Sequence, residues 1–274
     1  MKSNLSPVAL RKRILEMAFA GSSVHIACAY SLIELVSVLY SRFVRFPGDR
    51  VDDAGRDYLI LSKGHGVMAQ YVCLERLGFI EPRALDTYFS DGSPLHGLCE
   101  ATIPGCEVST GSMGHGFGIA AGVAYGLRAQ GRSSQRVYCI VGDGEMNEGS
   151  MWEAALFAAH HRLGQLVVIV DANGLQAMGK TSDIIGLEPL AEKFRSFGFE
   201  TVECDGHDVT KLGKIFEGWA SQGAEGKPKA LVARTVKGKG VSFMEGRNEW
   251  HYLRLKPEQM TAAMAELERQ SSDA

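Results

Sequence analysis

The sequence predicts an α/β protein built on a mostly parallel sheet with helices on both faces. Three observations carry that expectation. Apolar strand-like runs alternate with stretches of helical period, the pattern of a parallel sheet covered by helices. Two of those runs end in glycine turns that carry an oxygen side chain, "VGDG" at 141–144 and "VDANG" at 170–174. No linker-like segment divides the chain. Residues 1–274 therefore read as a single domain, with a polar C-terminal tail over about 266–274 that is expected to fray from Gln270 onward.

The elements follow in order. Residues 7–19 read as a helix because Leu10, Ile14, Leu15 and Ala18 recur at helical spacing. Residues 32–43 repeat the pattern with Leu32, Leu35, Val36 and Leu39. Residues 57–62, "DYLILS", form a short buried strand that runs into a glycine-flanked turn, Lys63-Gly64-His65-Gly66, and then a helix over 67–77. The glycine-rich stretch 100–118 is irregular and passes into a small-residue helix at 119–130. Further strands are expected at 136–141, 166–171, 200–203 and 230–235, with helices at 151–161, 190–197 and 209–219.

Composition narrows the function. The 274 residues are 45% hydrophobic and 22% charged, ordinary for a globular protein with a sizeable core. A net charge of −3 gives no reason to expect nucleic acid or an anionic membrane as partner. The N-terminal residues have no apolar signal core, and no run approaches a bilayer span. The six cysteines, Cys28, Cys73, Cys99, Cys106, Cys139 and Cys204, include no Cys-x-x-Cys pair. A reducing, cytoplasmic setting without disulfides or zinc is expected.

Two strand-like runs that each end on a metal-competent oxygen call for an explanation. In a right-handed βαβ unit the strands are parallel, so their C-terminal ends share one sheet edge. Asp143 and Asn173 each stand just past such an end, about one βαβ unit apart. Two hard oxygens then converge, and a loop carbonyl, that of Leu175 for instance, completes a half-shell. Mg²⁺ takes such a set and fills its octahedron with phosphate oxygens and water. Gly142 and Gly144 let the backbone turn sharply near a ligand, and the Gly144 amide suits a phosphate oxygen. Either turn alone has ordinary turn composition. Together, at this spacing, they read as a Mg²⁺–pyrophosphate site.

These residues carry a resemblance. "GDGEMNEG…DANGLQ" resembles the thiamine diphosphate motif, Gly-Asp-Gly followed by an Asn about one βαβ unit later. "LSKGHG" (61–66), "LHG" (95–97), "STGSMGHGFGIAAGVAYG" (109–126) and "TVKGKGVSFMEGRNEWH" (235–251) follow in the order found in transketolases. The resemblance runs from about Pro7 to His251. It is greatest to the stand-alone N-terminal subunit of a split transketolase.

That resemblance implies a thiamine diphosphate-binding fold and transfer of a two-carbon ketol unit from a ketose, or ketose phosphate, to an aldose. It implies Mg²⁺ or Ca²⁺ on Asp143, Asn173 and the Leu175 carbonyl. Cofactor contacts fall on Gly142, Gly144, Glu145 and Asn173, with His65 and His251 near the diphosphate and thiazolium. Gly111, Ser112 and Met113 run along the aminopyrimidine. His25, His65, His96 and His251 line the substrate channel and shuttle protons, work suited to a side chain that titrates near neutrality. Glu148 matches a carboxylate at a subunit contact. His160 and His161 end a helix and complement its negative pole. Lys237 and Lys239 read equally as phosphate binders or solvated loop residues.

Two departures stand out. Where the family has Gly-His-x-Gly-Gly, this chain has Val24-His25-Ile26-Ala27-Cys28, which narrows the donor pocket or alters its polarity. His115 stands where the family commonly has Gln. The resemblance also places the activating glutamate and most sugar-phosphate ligands in a second domain. A partner subunit carrying the pyrimidine-binding and C-terminal domains is therefore expected, with two copies of each chain and the helix from Ile119 buried at an interface or in this domain's own core. The alternatives are the α subunit of a 2-oxo acid dehydrogenase, against which the histidine-bearing segments argue, and a non-catalytic cofactor-binding module, which would have lost the metal or histidine positions.

Overall fold

A computed structural model of the chain describes residues 5–272. Helices α1 (Pro7–Ala20), α2 (Ile26–Tyr30) and α3 (Ile33–Val38) lead to strand β1 (Tyr58–Leu61), then α4 (Val67–Arg76) and α5 (Pro82–Asp86). Beyond the irregular stretch, α6 (Gly116–Ala129) leads to β2 (Val137–Gly142), and α7 (Gly149–His160) connects β2 to β3 (Leu166–Ala172). A small antiparallel ribbon of β4 (Leu175–Gln176) and β5 (Gly179–Lys180) follows, then α8 (Thr181–Ile184) and α9 (Leu190–Ser196). Next come β6 (Glu200–Asp205), α10 (Val209–Ala220), β7 (Lys229–Arg234) and α11 (Pro257–Ser272).

The main sheet has five strands in the order β1-β2-β3-β7-β6, every neighbouring pair parallel. All seven residues of β3 are buried, which is why its sequence is a continuous β-branched run rather than an alternation. Its side chains still divide by face. Val167 and Ile169 join one core with α1, α3, α4, α10 and α11; Leu166, Val168 and Val170 join another with α6, α7 and α9. The five expected strands all form, and helices cover both faces. No helix among the described residues is long and apolar enough to cross a membrane.

The structure corrects three readings. The helix expected over 32–43 changes character: α3 ends at Val38, and Leu39–Phe43 continues as a wider turn closed by the Val44 amide on the Leu39 carbonyl. Helix α2 was hidden in a short segment with all five residues buried, which shows no amphipathic period. The polar tail is helical through Ser272, and residues 273 and 274 lie outside the described residues. Ala263 and Leu267, one helical turn apart, are fully buried, Met260 and Met264 pack half-buried beside them, and α11 packs along α1. These four residues recur at helical spacing, a stripe that lies mostly ahead of the polar residues 266–274.

A buried ionic chain braces one edge of the sheet. Arg11 of α1 donates twice to Glu34 of α3, at 2.6 and 2.8 Å. Glu34 Oε2 also lies 2.8 Å from His207 Nδ1, while His207 Nε2 accepts from the Val236 amide at 2.8 Å. Acceptance at Nε2 leaves Nδ1 as the protonated nitrogen facing Glu34. Burial works to raise the Glu34 carboxyl, but His207 and Arg11 outweigh it and hold it down to about 2. A carboxyl depressed on folding stabilises above its unfolded pKa and loses that stabilisation as pH falls through the folded value. Wild-type stability should therefore carry a Glu34 component that disappears between about pH 4.5 and 2. In Glu34→Gln, urea unfolding at a series of pH values should show that component missing, with stability at pH 7 lower by about 3–5 kcal/mol because the Arg11 charge is left unpaired.

Candidate active site

Because the sheet is parallel, the loops after β1, β2, β3 and β7 emerge at one edge. That is where open α/β sheets bind ligands. They meet His25 and Cys28 from around α2, and His251 from the turn at Asn248–His251. Together they enclose a cavity of about 290 Å³. His25, His65, Gly111, Met113, Gly142, Asp143, Gly144, Glu145, Asn173, Leu175 and His251, all singled out in the sequence, line it.

The two oxygen-bearing turns do converge. Asp143 caps its own turn by accepting from the Gly144 amide at 2.7 Å. Its second oxygen accepts from the Gly174 amide at 2.6 Å, which ties the β2 turn directly to the β3 turn. Gly174 makes this contact at φ +75°, a conformation that favours glycine. Asn173 Oδ1 accepts from the Leu175 amide at 3.0 Å, so the third expected ligand is held by the second. Burial and the neighbouring Asp171 push the Asp143 carboxyl up to about 6, against the two amides and Lys63.

Beneath these turns lies a polar cluster that the sequence reading missed. Asp171, fully buried near the end of β3, accepts from the Lys63 ammonium, from Ser31 at 2.7 Å, from the Thr235 hydroxyl and from Asn173 Nδ2 at 3.0 Å. Burial raises this carboxyl, yet Lys63 and the hydroxyls prevail and hold it below its ordinary value. Its sequence signal was an Asp inside an apolar strand and a Lys at the end of another, residues almost never fully buried unless paired. Glu145 performs a similar task in the next loop, accepting from Ser62, from Gly114 at 3.0 Å and from Gly142 at 3.2 Å.

Three imidazoles form the opposite wall. The ring centroids of His25, His65 and His251 are 5.1–5.5 Å apart. Burial, followed by the nearby lysines, holds His25 down to about 4 and His65 well below its ordinary value. Burial and then Lys237 hold His251 down to about 3. All three are neutral at pH 7. His251 Nδ1 lies 2.9 Å from Lys237 Nζ. With Nδ1 accepting from the lysine, the ring proton sits on Nε2, which is left as the donor. The two loop lysines thus part company: Lys237 is buried in the site, while Lys239 is only half-buried, beside Glu245.

Not every expected residue arrives. His96 is largely exposed, outside the cavity, with Nδ1 4.0 Å from Glu100. Ser112 is exposed and does not line the cavity, although Gly111 and Met113 on either side do. His115 precedes α6, its Nδ1 3.0 Å from the Met113 carbonyl. Glu148 is half-buried at the start of α7, and His161 ends that helix as expected. Gln176, unremarked in the sequence, lines the cavity with a buried Nε2 that has no partner.

These residues fit the group that the motif implies. Asp143 and Asn173, drawn together by the bond between the two turns, carry the hard oxygens that a Mg²⁺ ion takes. The orphaned Gln176 amide and the buried Lys63 and Lys237 provide donors for an anion. The family model described as "Transketolase, thiamine diphosphate binding domain" matches residues 9–271. The chain belongs to the transketolase family. It is 38% identical over 261 residues to one of the subunits of the apulose-4-phosphate transketolase of Actinobacillus succinogenes, covering 94% of this chain and 93% of that protein. It is 36% identical over 264 residues to the 6-deoxy-6-sulfo-D-fructose transketolase subunit SqwG of a Clostridium species, covering 96% and 95%. The transketolase of Campylobacter jejuni superposes with a TM-score of 0.87 at 26% identity, and that of Leishmania mexicana with 0.85 at 28%. This chain spans only 42% and 40% of those two structures. It is the N-terminal, thiamine diphosphate-binding subunit of a split transketolase.

In this transketolase chain the substitution Asp171→Ala should lower stability by about 3–5 kcal/mol, because the Lys63 charge is left buried and unpaired. Adding Lys63→Met should recover part of the loss in urea unfolding; a double variant as unstable as the sum of the singles would refute the pairing.

Proposed function

We propose that the cavity holds thiamine diphosphate with Mg²⁺ or Ca²⁺, and that the subunit transfers a two-carbon ketol unit from an anionic ketose to an aldose. The observation that carries this reading is the hydrogen bond from the Gly174 amide to Asp143, which brings both halves of the motif to one point opposite three neutral imidazoles. In this reading Asp143, Asn173 and the Leu175 carbonyl hold the ion. Gly142, Gly144, Glu145 and Asn173 flank the diphosphate, and Gly111 and Met113 flank the aminopyrimidine. When bound, the cofactor supplies a thiazolium carbon able to carry the two-carbon unit. His251 donates from Nε2 to a substrate oxygen. His25 and His65, also neutral, accept or donate a proton at the sugar hydroxyls. His96 belongs to the outer channel, which a second subunit completes.

That second subunit carries the pyrimidine-binding and C-terminal domains, and two copies of each chain assemble. The Actinobacillus relative bears the name of a subunit rather than of a whole enzyme, which supports a partner. So does α6: Phe117, Ala120 and Ala124 enter its own core, while Gly118, Gly122 and Gly126 face open space beside the exposed Ile119 and Tyr125. The names of the two relatives, one a phosphorylated sugar and one a sulfonated sugar, support a donor with an anionic terminus. Six unpaired cysteines suit a reducing, cytoplasmic location.

In the assembled complex Asp143→Ala should abolish ketol transfer from apulose 4-phosphate or 6-deoxy-6-sulfofructose; retained turnover would overturn the metal assignment. His251→Ala should lower kcat by about 10²–10⁴-fold while cofactor affinity, read by calorimetry, stays largely intact. Unchanged kinetics there would remove His251 from the channel.

A further inference from the structure

Among the described residues one group of three metal-competent side chains converges outside the Asp143–Asn173 oxygen set: Cys28, His65 and His251. They come from α2, from the turn after β1 and from the turn at Asn248–His251. Their ligand atoms all lie within 4.8 Å of one another. Cys28 lines the cavity at the point where the sequence departs from the Gly-His-x-Gly-Gly pattern it resembles. We propose that Cys28, His65 and His251 form a soft-metal site that binds a thiophilic divalent cation such as Zn²⁺.

The geometry suits tetrahedral coordination. Cys28 Sγ lies 3.6 Å from His251 Nδ1. Zn–S and Zn–N bonds of about 2.3 and 2.0–2.1 Å at a tetrahedral angle span an S···N edge of about 3.6 Å. Thiolate and imidazole are the ligands a borderline-soft ion prefers, whereas Asp143 and Asn173 offer only hard oxygen. Three protein ligands leave a fourth position open to the cavity, as in zinc sites that keep an exchangeable ligand. Both imidazoles are neutral and have lone pairs to give. Binding displaces Lys237 from His251 Nδ1, and burial already disfavours that ammonium. The Cys28 S–H bond breaks, an S–Zn bond forms, and the proton leaves to solvent. Two of the three ligands are histidines assigned above to the cofactor's surroundings, so Zn²⁺ and thiamine diphosphate should exclude each other; that exclusion rests on the proposed cofactor reading, and the metal site itself does not.

The test is a Co²⁺ titration of the metal-free full chain. The expected result is one equivalent bound, intense tetrahedral visible absorption, a near-ultraviolet sulfur-to-cobalt charge-transfer band, and loss of both on adding Zn²⁺. Cys28→Ser and Cys28→Ala, their folding checked by circular dichroism, should lose the charge-transfer band and bind about tenfold or more weakly. A weak octahedral spectrum, or the same band in both variants, would overturn the proposal. Repeating the titration after loading thiamine diphosphate and Mg²⁺ separates the two readings. Suppression of the band supports both. An undiminished band upholds the metal site and overturns the placement of His65 and His251 beside the cofactor.

Discussion

The site depends on one buried ion pair. Lys63 and Asp171 meet beneath the carboxyl edge of the sheet, and each reaches that point from a different strand. Neither charge is tolerable alone in a dry interior. Together with Ser31, Thr235 and Asn173 they fasten α2's neighbourhood and the loops after β1, β3 and β7 to a single carboxylate. Asp143 and Glu145 then extend the lattice outward, each accepting backbone amides from a neighbouring loop. Loops that would otherwise sample many conformations become parts of one rigid cradle, the preorganisation that binding and catalysis both need.

The same architecture sets the charge state of the cavity. Two buried lysines stand next to three imidazoles, so a proton on any of those rings meets both desolvation and a like charge. The result is an arrangement in which histidines act as neutral donors and acceptors while the lysines carry the positive field. Cys28 sits on this wall as a thiol where burial opposes ionisation and the lysines favour it. That balance makes it a group whose state a bound cation can decide.

Much of this was legible in the sequence because the signals were local. Four of the five strands announce themselves as apolar runs, β6 being a mixed polar edge strand, and the turns that follow them carry glycine, aspartate or asparagine where a parallel sheet needs loops at one edge. The conjunction of Gly-Asp-Gly with Asp-Ala-Asn-Gly named the metal-competent residues, and His65 between glycines and His251 in its "NEWH" context pointed to the wall opposite. Where local signal failed, the reason was physical. Helix α2 is buried on every side, so it has no period to read. Helix α11 docks through Met260, Ala263, Met264 and Leu267, a stripe set mostly ahead of the polar end of the chain. Lys237 and Lys239 share one motif and one spacing, yet packing against His251 buries the first while the second stays half-buried beside Glu245.

The sequence by itself determined the class of fold, the oxygen-bearing residues at the strand ends and the family, because these rest on residue type and spacing along one chain. Only the tertiary structure decided that Asp171 is the anchor, that His96 and Ser112 stand outside the cavity, and that Cys28 faces His251 across 223 positions of sequence. Those facts depend on which loops the parallel sheet brings together and on how completely water is removed between them. Distance through space and burial have no expression in spacing along the chain.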